Sequence, residues 1–271
     1  MPRAPMNPME KASAYLRHIL FYLCVALWIT LCILGGFFLL LLPQRYLMDL
    51  GTLFCRGVLV LASWFLGITH QVHGLENLPH GPCIVASKHQ STWETMALTF
   101  ILRRPTFVMK SQLLAVPIIG TFLKKVDMIG VSRGQGGSQR PISNAPCQSA
   151  PNQSPSDTAP AQNNPSFLAQ AARITGTQGR PIVIFPEGTR THIGQTTRYR
   201  QGVALLAQHL QLPVIPVALN SGLFWPRNTF LKTPGTIHVV FLPPISPDLA
   251  PEIILQRLKS AIEQTCLALV H

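Results

Sequence analysis

Residues 19–42 read ILFYLCVALWITLCILGGFFLLLL, twenty-four positions without a charge. At 1.5 Å rise per residue, a helix of that length can cross a hydrocarbon core of about 30 Å. A secretory signal would carry a shorter apolar stretch, about 7–15 residues, and then small residues at a cleavage site. Here Pro43-Gln44-Arg45-Tyr46 follows instead, and Arg3, Lys11 and Arg17 precede. The segment therefore reads as a retained membrane anchor. A second apolar run, GVLVLASWFLGI at 57–68, is too short for a span and suits a re-entrant or interfacial helix. If the first segment alone crossed, with its basic end inside, everything after it would lie outside. The two segments are therefore expected to form a hairpin, or to lie together in the inner leaflet. Residues 1–70 are read as a helical membrane hairpin and 71–271 as a globular domain.

Composition agrees. Only 12% of the 271 residues are charged, about half the fraction usual in soluble domains. The formal net charge is +12, which suits anionic surfaces or phosphorylated ligands. The basic residues are scattered, with no Lys/Arg run and no aromatic RNA-binding signature, so nucleic acid is not expected as a partner. The six cysteines include no Cys-x-x-Cys pair. Neither a zinc site nor a disulfide framework is expected.

From about residue 70 the texture becomes that of a globular α/β domain. Short apolar, β-branched runs at 83–87, 106–110, 128–132, 181–185, 214–219 and 236–242 read as strands. Helical stretches are read at 94–102, 165–175, 201–210 and 247–269. Several strands are almost continuously apolar, as when both sheet faces are buried. The fold class expected is α/β, a mixed and mostly buried sheet covered by helices. Residues 134–165 break the pattern: rich in Gly, Ser, Pro, Gln and Asn, they cannot bury enough surface to offset their ordering entropy and read as a disordered insertion. No internal repeat is visible.

Three places could carry chemistry. His89 follows a predicted strand, and Glu94 lies five residues on at the start of a predicted helix. A turn between them can bring the carboxylate to one imidazole nitrogen and leave the other as a general base. Phe185-Pro186-Glu187-Gly188-Thr189-Arg190 ends another strand. There Gly188 permits close backbone approach, Thr189 offers a hydroxyl, Arg190 suits a phosphate, and Glu187 can accept from a hydroxyl. Arg133, at the end of the 128–132 strand, could add a second guanidinium. His73, Glu76 and His80 read as a turn before a strand.

These pieces, in this order and followed by Pro216-Val217-Ala218 in the 214–219 strand, resemble the glycerophospholipid acyltransferases, most of all bacterial 1-acyl-glycerol-3-phosphate acyltransferases. The resemblance runs from about Pro43 to Asp248. It includes Gly74-Leu75-Glu76-Asn77-Leu78-Pro79, Lys110, Leu113, Pro117, Gly120, Tyr199-Arg200-Gln201-Gly202 and Asn220-Ser221. Two positions depart from the family pattern: Glu94 stands where an Asp is usual, and Ser132 precedes Arg133 where an acid or amide is usual. The resemblance implies that His89 deprotonates the free hydroxyl of a lysophospholipid, which attacks an acyl thioester, while Glu94 orients the imidazole. It implies a phosphate site built from Arg190, Gly188, Thr189, Arg133 and Lys110, with Glu187 near the acceptor. The expected product is phosphatidic acid. Acyl-coenzyme A or an acyl carrier protein is the expected co-substrate, with no metal or other cofactor, on the cytoplasmic side of a bacterial inner membrane. No Gly-x-Ser-x-Gly elbow occurs, which argues against a serine hydrolase. Other readings are another lyso-lipid such as a lyso-ornithine lipid, glycerol phosphate itself as acceptor, a lipid-binding protein without activity, and a membrane phosphohydrolase.

Overall fold

The strands expected from the sequence pair into one sheet. The computed structural model describes residues 7–102, 104–131 and 165–270. Arg133 and residues 134–164, the body of the expected insertion, lie outside them. Two helices come first, α1 (Pro8–Leu39) and α2 (Gln44–Leu66). Then follow β1 (Ile68–His73), β2 (Ile84–Ser87), α3 (Trp93–Ile101), β3 (Thr106–Lys110), α4 (Ile119–Lys125) and β4 (Ile129–Val131). After the gap come α5 (Pro165–Gln178), β5 (Ile182–Ile184), α6 (Gly202–Leu210), β6 (Val214–Leu219), α7 (Ser221–Phe224), β7 (Gly235–Phe241) and α8 (Pro251–Ala268).

The sheet order is β1-β7-β6-β2-β5-β3-β4. All pairings are parallel except β6 with β7, so the sheet is mixed. Alternation along each central strand sends side chains to two separate cores. Val85, Val183, Ile215 and Val217 pack with α2 and α3 on one face. Ile84, Ala86, Ile182 and Val214 pack with α5, α6 and α8 on the other. Both faces are covered, which is why these strands read as unbroken apolar runs.

Two boundaries differ from the sequence reading. The second apolar segment is a helix of 23 residues, not twelve. Its apparent interruptions, Arg45, Asp49 and Arg56, are exposed, while Cys55, Val58, Leu59, Ala62 and Leu66 form the buried stripe. Asp49 is held by a bidentate pair with Arg104, both contacts at 3.0 Å. The second difference is β1, which the sequence reading missed. Gly67 adopts φ 65°, ψ 28°, the left-handed conformation that commonly ends helices, and the chain turns straight into an edge strand.

α1 and α2 pack antiparallel as the expected hairpin. Trp28 Nε1 donates to the Phe54 carbonyl at 3.2 Å, and Gly57 leaves room for that indole. Both helices are long and apolar enough to cross a membrane, with mean hydropathy 2.4 and 1.4. The hairpin also joins the α/β unit: Phe21, Val58 and Ala62 share one core with Trp93, Leu98 and Ile237.

Candidate active site

β2 and β5 are parallel neighbours, with Ala86 opposite Ile184. Their C-terminal ends therefore release two loops side by side, where ligands commonly sit in open α/β sheets. The first loop carries His89 and the second carries residues 185–191. They are tied at the backbone. Thr191 N–H donates to the His89 carbonyl at 2.8 Å, and His89 N–H donates to Glu187 Oε1 at 3.2 Å. The base candidate is thus gripped at both of its peptide groups before its ring is considered.

The ring is fixed as well. Its face stacks on Phe185, with centroids 4.0 Å apart and planes 17° from parallel. Nδ1 lies 2.9 Å from Glu94 Oε1. A carboxylate accepts, so Nδ1 carries the proton and Nε2 of the neutral ring is left as the acceptor. Nε2 makes no hydrogen bond among the described residues, and the side chain keeps 18% of its surface exposed.

Glu94 is completely buried. Burial of such a group is tolerable only when its oxygens are matched, and here they are. Oε1 also accepts from the amides of Gln90 and Ser91, both at 2.7 Å. Oε2 accepts from Ser91 Oγ at 2.7 Å and Ser221 Oγ at 2.8 Å. The extra methylene relative to Asp is absorbed because the side chain folds back from the first turn of α3 onto the preceding turn. The positive end of the helix dipole favours a carboxylate there.

The second loop turns at Gly188, which adopts φ 66°. Gly188 N–H closes the turn on the Phe185 carbonyl at 2.9 Å. Glu187 is buried beside Lys88, Oε1 to Nζ 3.5 Å, and its Oε2 has no hydrogen-bond partner among the described residues. Burial pushes its carboxyl above the ordinary range, and the Lys88 ammonium pulls it part of the way back. Thr189 is exposed and Arg190 half-buried. Neither is engaged by another side chain among the described residues, so both are free to meet a ligand. Lys110, exposed at the end of β3, emerges from the strand next to β5. An open cleft of about 280 Å³ beside Gln90, Thr191, Gly222 and Arg227 borders the same region.

Several residues of the site carried no assigned role in the sequence. Phe185 lay inside a recognised block, and Ser221 beside another, but neither had a function attached. Lys88 and Gln90 lay inside the candidate stretch around His89 without a role of their own, and Glu263 gave no signal. His73, Glu76 and His80 are exposed, and His73 stacks instead on His238 across the β1–β7 edge. Among the described residues, no three His, Cys, Asp or Glu side chains gather as a metal site requires.

A family model described as Acyltransferase matches residues 69–220, more than half of the chain and the whole of both loops. The chain belongs to the acyltransferase family. The acyltransferase is 34% identical over 235 residues to a Pseudomonas aeruginosa protein named 1-acyl-sn-glycerol-3-phosphate acyltransferase, covering 84% of this chain and 80% of that one. It is 26% identical over 231 residues to a Limnanthes douglasii protein of the same name, covering 84% and 73%. Its fold is that of the crystal structure of the 1-acyl-sn-glycerophosphate (LPA) acyltransferase PlsC from Thermotoga maritima. The TM-score is 0.68 at 19% identity, over 94% of this acyltransferase and 97% of that chain.

Proposed function

We propose that the enzyme transfers an acyl chain from an acyl thioester to the free hydroxyl of 1-acyl-glycerol-3-phosphate, giving phosphatidic acid. The observation that carries this reading is the His89–Glu94 pair at 2.9 Å, with Nε2 free, in a chain that shares 34% identity with a relative so named over most of both lengths. His89 Nε2 takes the hydroxyl proton as the oxygen attacks the thioester carbonyl. The C–O bond forms, the tetrahedral intermediate collapses, the C–S bond breaks, and the imidazolium returns its proton to the leaving thiolate. Glu94 stabilises that imidazolium. The acceptor phosphate is bound by Arg190 and Lys110 with the Gly188 and Thr189 groups of the turn, and Arg133 is the further candidate. Glu187, the other acceptor candidate of the sequence, has its side chain fully enclosed beside Lys88. The donor is acyl-coenzyme A or an acyl carrier protein.

The hairpin fits a lysolipid substrate that partitions into the bilayer. Two contacts on α1, one in its first half and one near its C-terminal end, favour a hairpin lying along one leaflet. His18 Nε2 accepts from the Lys232 amide at 2.8 Å, and Phe37 packs edge-on to Phe122 at 5.9 Å. These points are about 28 Å apart along the helix. A helix standing upright across the membrane could not meet the α/β unit at both. The +12 charge suits the anionic cytoplasmic leaflet.

The test is phosphatidic acid formation by detergent-purified protein given lysophosphatidic acid, with each acyl donor supplied separately. No product with any donor, but turnover of an acceptor lacking a phosphate monoester, would sink the acceptor assignment. Arg190→Ala should raise the acceptor KM about 10–100-fold, the worth of a charge-assisted pair, with the donor KM little changed. An unchanged acceptor KM would remove Arg190 from the phosphate site.

A further inference from the structure

Lys88 sits immediately before His89 and has no part in the reaction written above. It is 2% exposed, one of the largest fully enclosed side chains. A buried ammonium is costly unless carboxylates and other acceptors surround it. Its Nζ lies 2.6 Å from Glu263 Oε1, 3.5 Å from Glu187 Oε1 and 3.3 Å from the Gln195 carbonyl. Glu263 belongs to α8, and it also accepts from Tyr199 Oη at 3.0 Å. One turn on, Cys266 has its thiol pushed up to about 11 by burial, so it adds no charge. Glu187 in turn holds the His89 backbone, feels the His89 imidazole and lines a cleft with Arg198, Tyr199 and Arg200. A chain of contacts thus runs from α8 through Glu263, Lys88 and Glu187 to the amide of His89.

Glu263 lies outside residues 69–220, the segment matched by the family model. We propose that Lys88, locked by Glu263, is a positioning residue that fixes Glu187 against the His89 backbone, which makes the C-terminal helix part of the working site. Without the ammonium, two carboxylates would face each other in a buried space. Glu187 would then take up a proton at higher pH and its grip on the His89 amide would slacken. The inference rests on His89 acting as the base.

The experiment compares wild type with Lys88→Met, Lys88→Gln, Glu263→Gln, Glu187→Gln and the Lys88→Met/Glu187→Gln pair, each as full chain in one detergent. Steady-state rates from pH 5.5 to 9 are read beside thermal unfolding. Lys88→Met should lower kcat on the order of 30–100-fold, the scale of a misplaced catalytic group, with the lysophosphatidic acid KM nearly constant. Its acid limb should move upward, so that rate is regained as pH rises. Glu263→Gln should lower kcat by a smaller factor. Adding Lys88→Met to Glu187→Gln should cost almost nothing further. A folded Lys88→Met enzyme with wild-type kcat and acid limb overturns the proposal. So do losses that multiply in the double variant, or a Glu263→Gln enzyme indistinguishable from wild type. If Lys88→Met does not fold, Lys88→Gln, which keeps a polar head, takes its place. Carbon-13 titration of the Glu187 carboxyl needs no substrate. An upward move in Lys88→Met or Lys88→Gln supports the inference, and an unmoved carboxyl overturns it even if wild type proves inactive on lysophosphatidic acid.

Discussion

His89→Ala is expected to lower kcat by about 10³–10⁴-fold, the contribution of a positioned general base together with its later role as acid. Folding should survive. The ring is partly exposed and stacks on one side only, against Phe185. Its removal leaves Glu94 with four remaining donors, the amides of Gln90 and Ser91 and the hydroxyls of Ser91 and Ser221. The unfolding midpoint should therefore move by no more than about 4 °C. The check is a paired measurement of phosphatidic acid formation and thermal unfolding on one preparation. Activity within tenfold of wild type in a folded variant would mean that another group removes the hydroxyl proton.

Glu94→Gln should cost about 10³-fold in kcat, for a different reason. The amide keeps the shape, and the Ser91 and Ser221 hydroxyls can rotate to accept from its NH₂, so the polar cluster stays matched. The negative charge is lost, and with it the stabilisation of the imidazolium that forms as the hydroxyl is deprotonated. Substrate affinity should change little, because Glu94 is fully buried and cannot touch either substrate. A variant with unchanged kcat and raised KM would show that Glu94 shapes the binding surface and not the base. Glu94→Ala is the poorer experiment. It would strand buried donors that otherwise all point to one carboxylate, and loss of fold would mask the chemistry.

Much of this arrangement was visible in the chain before any coordinates. The strands ending at Ser87 and Ile184 could be read from their apolar runs, because two covered faces leave no room for polar alternation. The His89–Glu94 spacing could be read because a short turn into a helix brings the two side chains together. β1 was missed for the opposite reason. Ile-Thr-His-Gln-Val-His is an edge strand with outward polar side chains, and it resembles a linker when no partner strand is in view. The full length of α2 was hidden by Arg45, Asp49 and Arg56, which break the apolar run in sequence but occupy one exposed side in three dimensions. Lys88 and Glu263 are 175 positions apart, and only the return of α8 against β6 brings them together. No local pattern announces such a pair. Arg133 stays an expectation from its position after the 128–132 strand.

The edge strand has a further consequence, for the order in which the molecule is made. Among the described residues β1 pairs with no strand but β7, residue 68 opposite residue 235 and both running the same way. On the ribosome the hairpin emerges first and is ready to meet lipid. β1 follows it with neither flank paired until nearly the whole α/β unit has been synthesised. Contacts between such distant segments form slowly, because a long loop must close first. The Thr, His and Gln side chains that hid β1 from sequence reading suit that interval, since a polar edge is a poor template for pairing with other chains. Nascent protein would thus wait at the membrane with its anchor in place and its sheet unfinished, and only release of the last forty residues would close it.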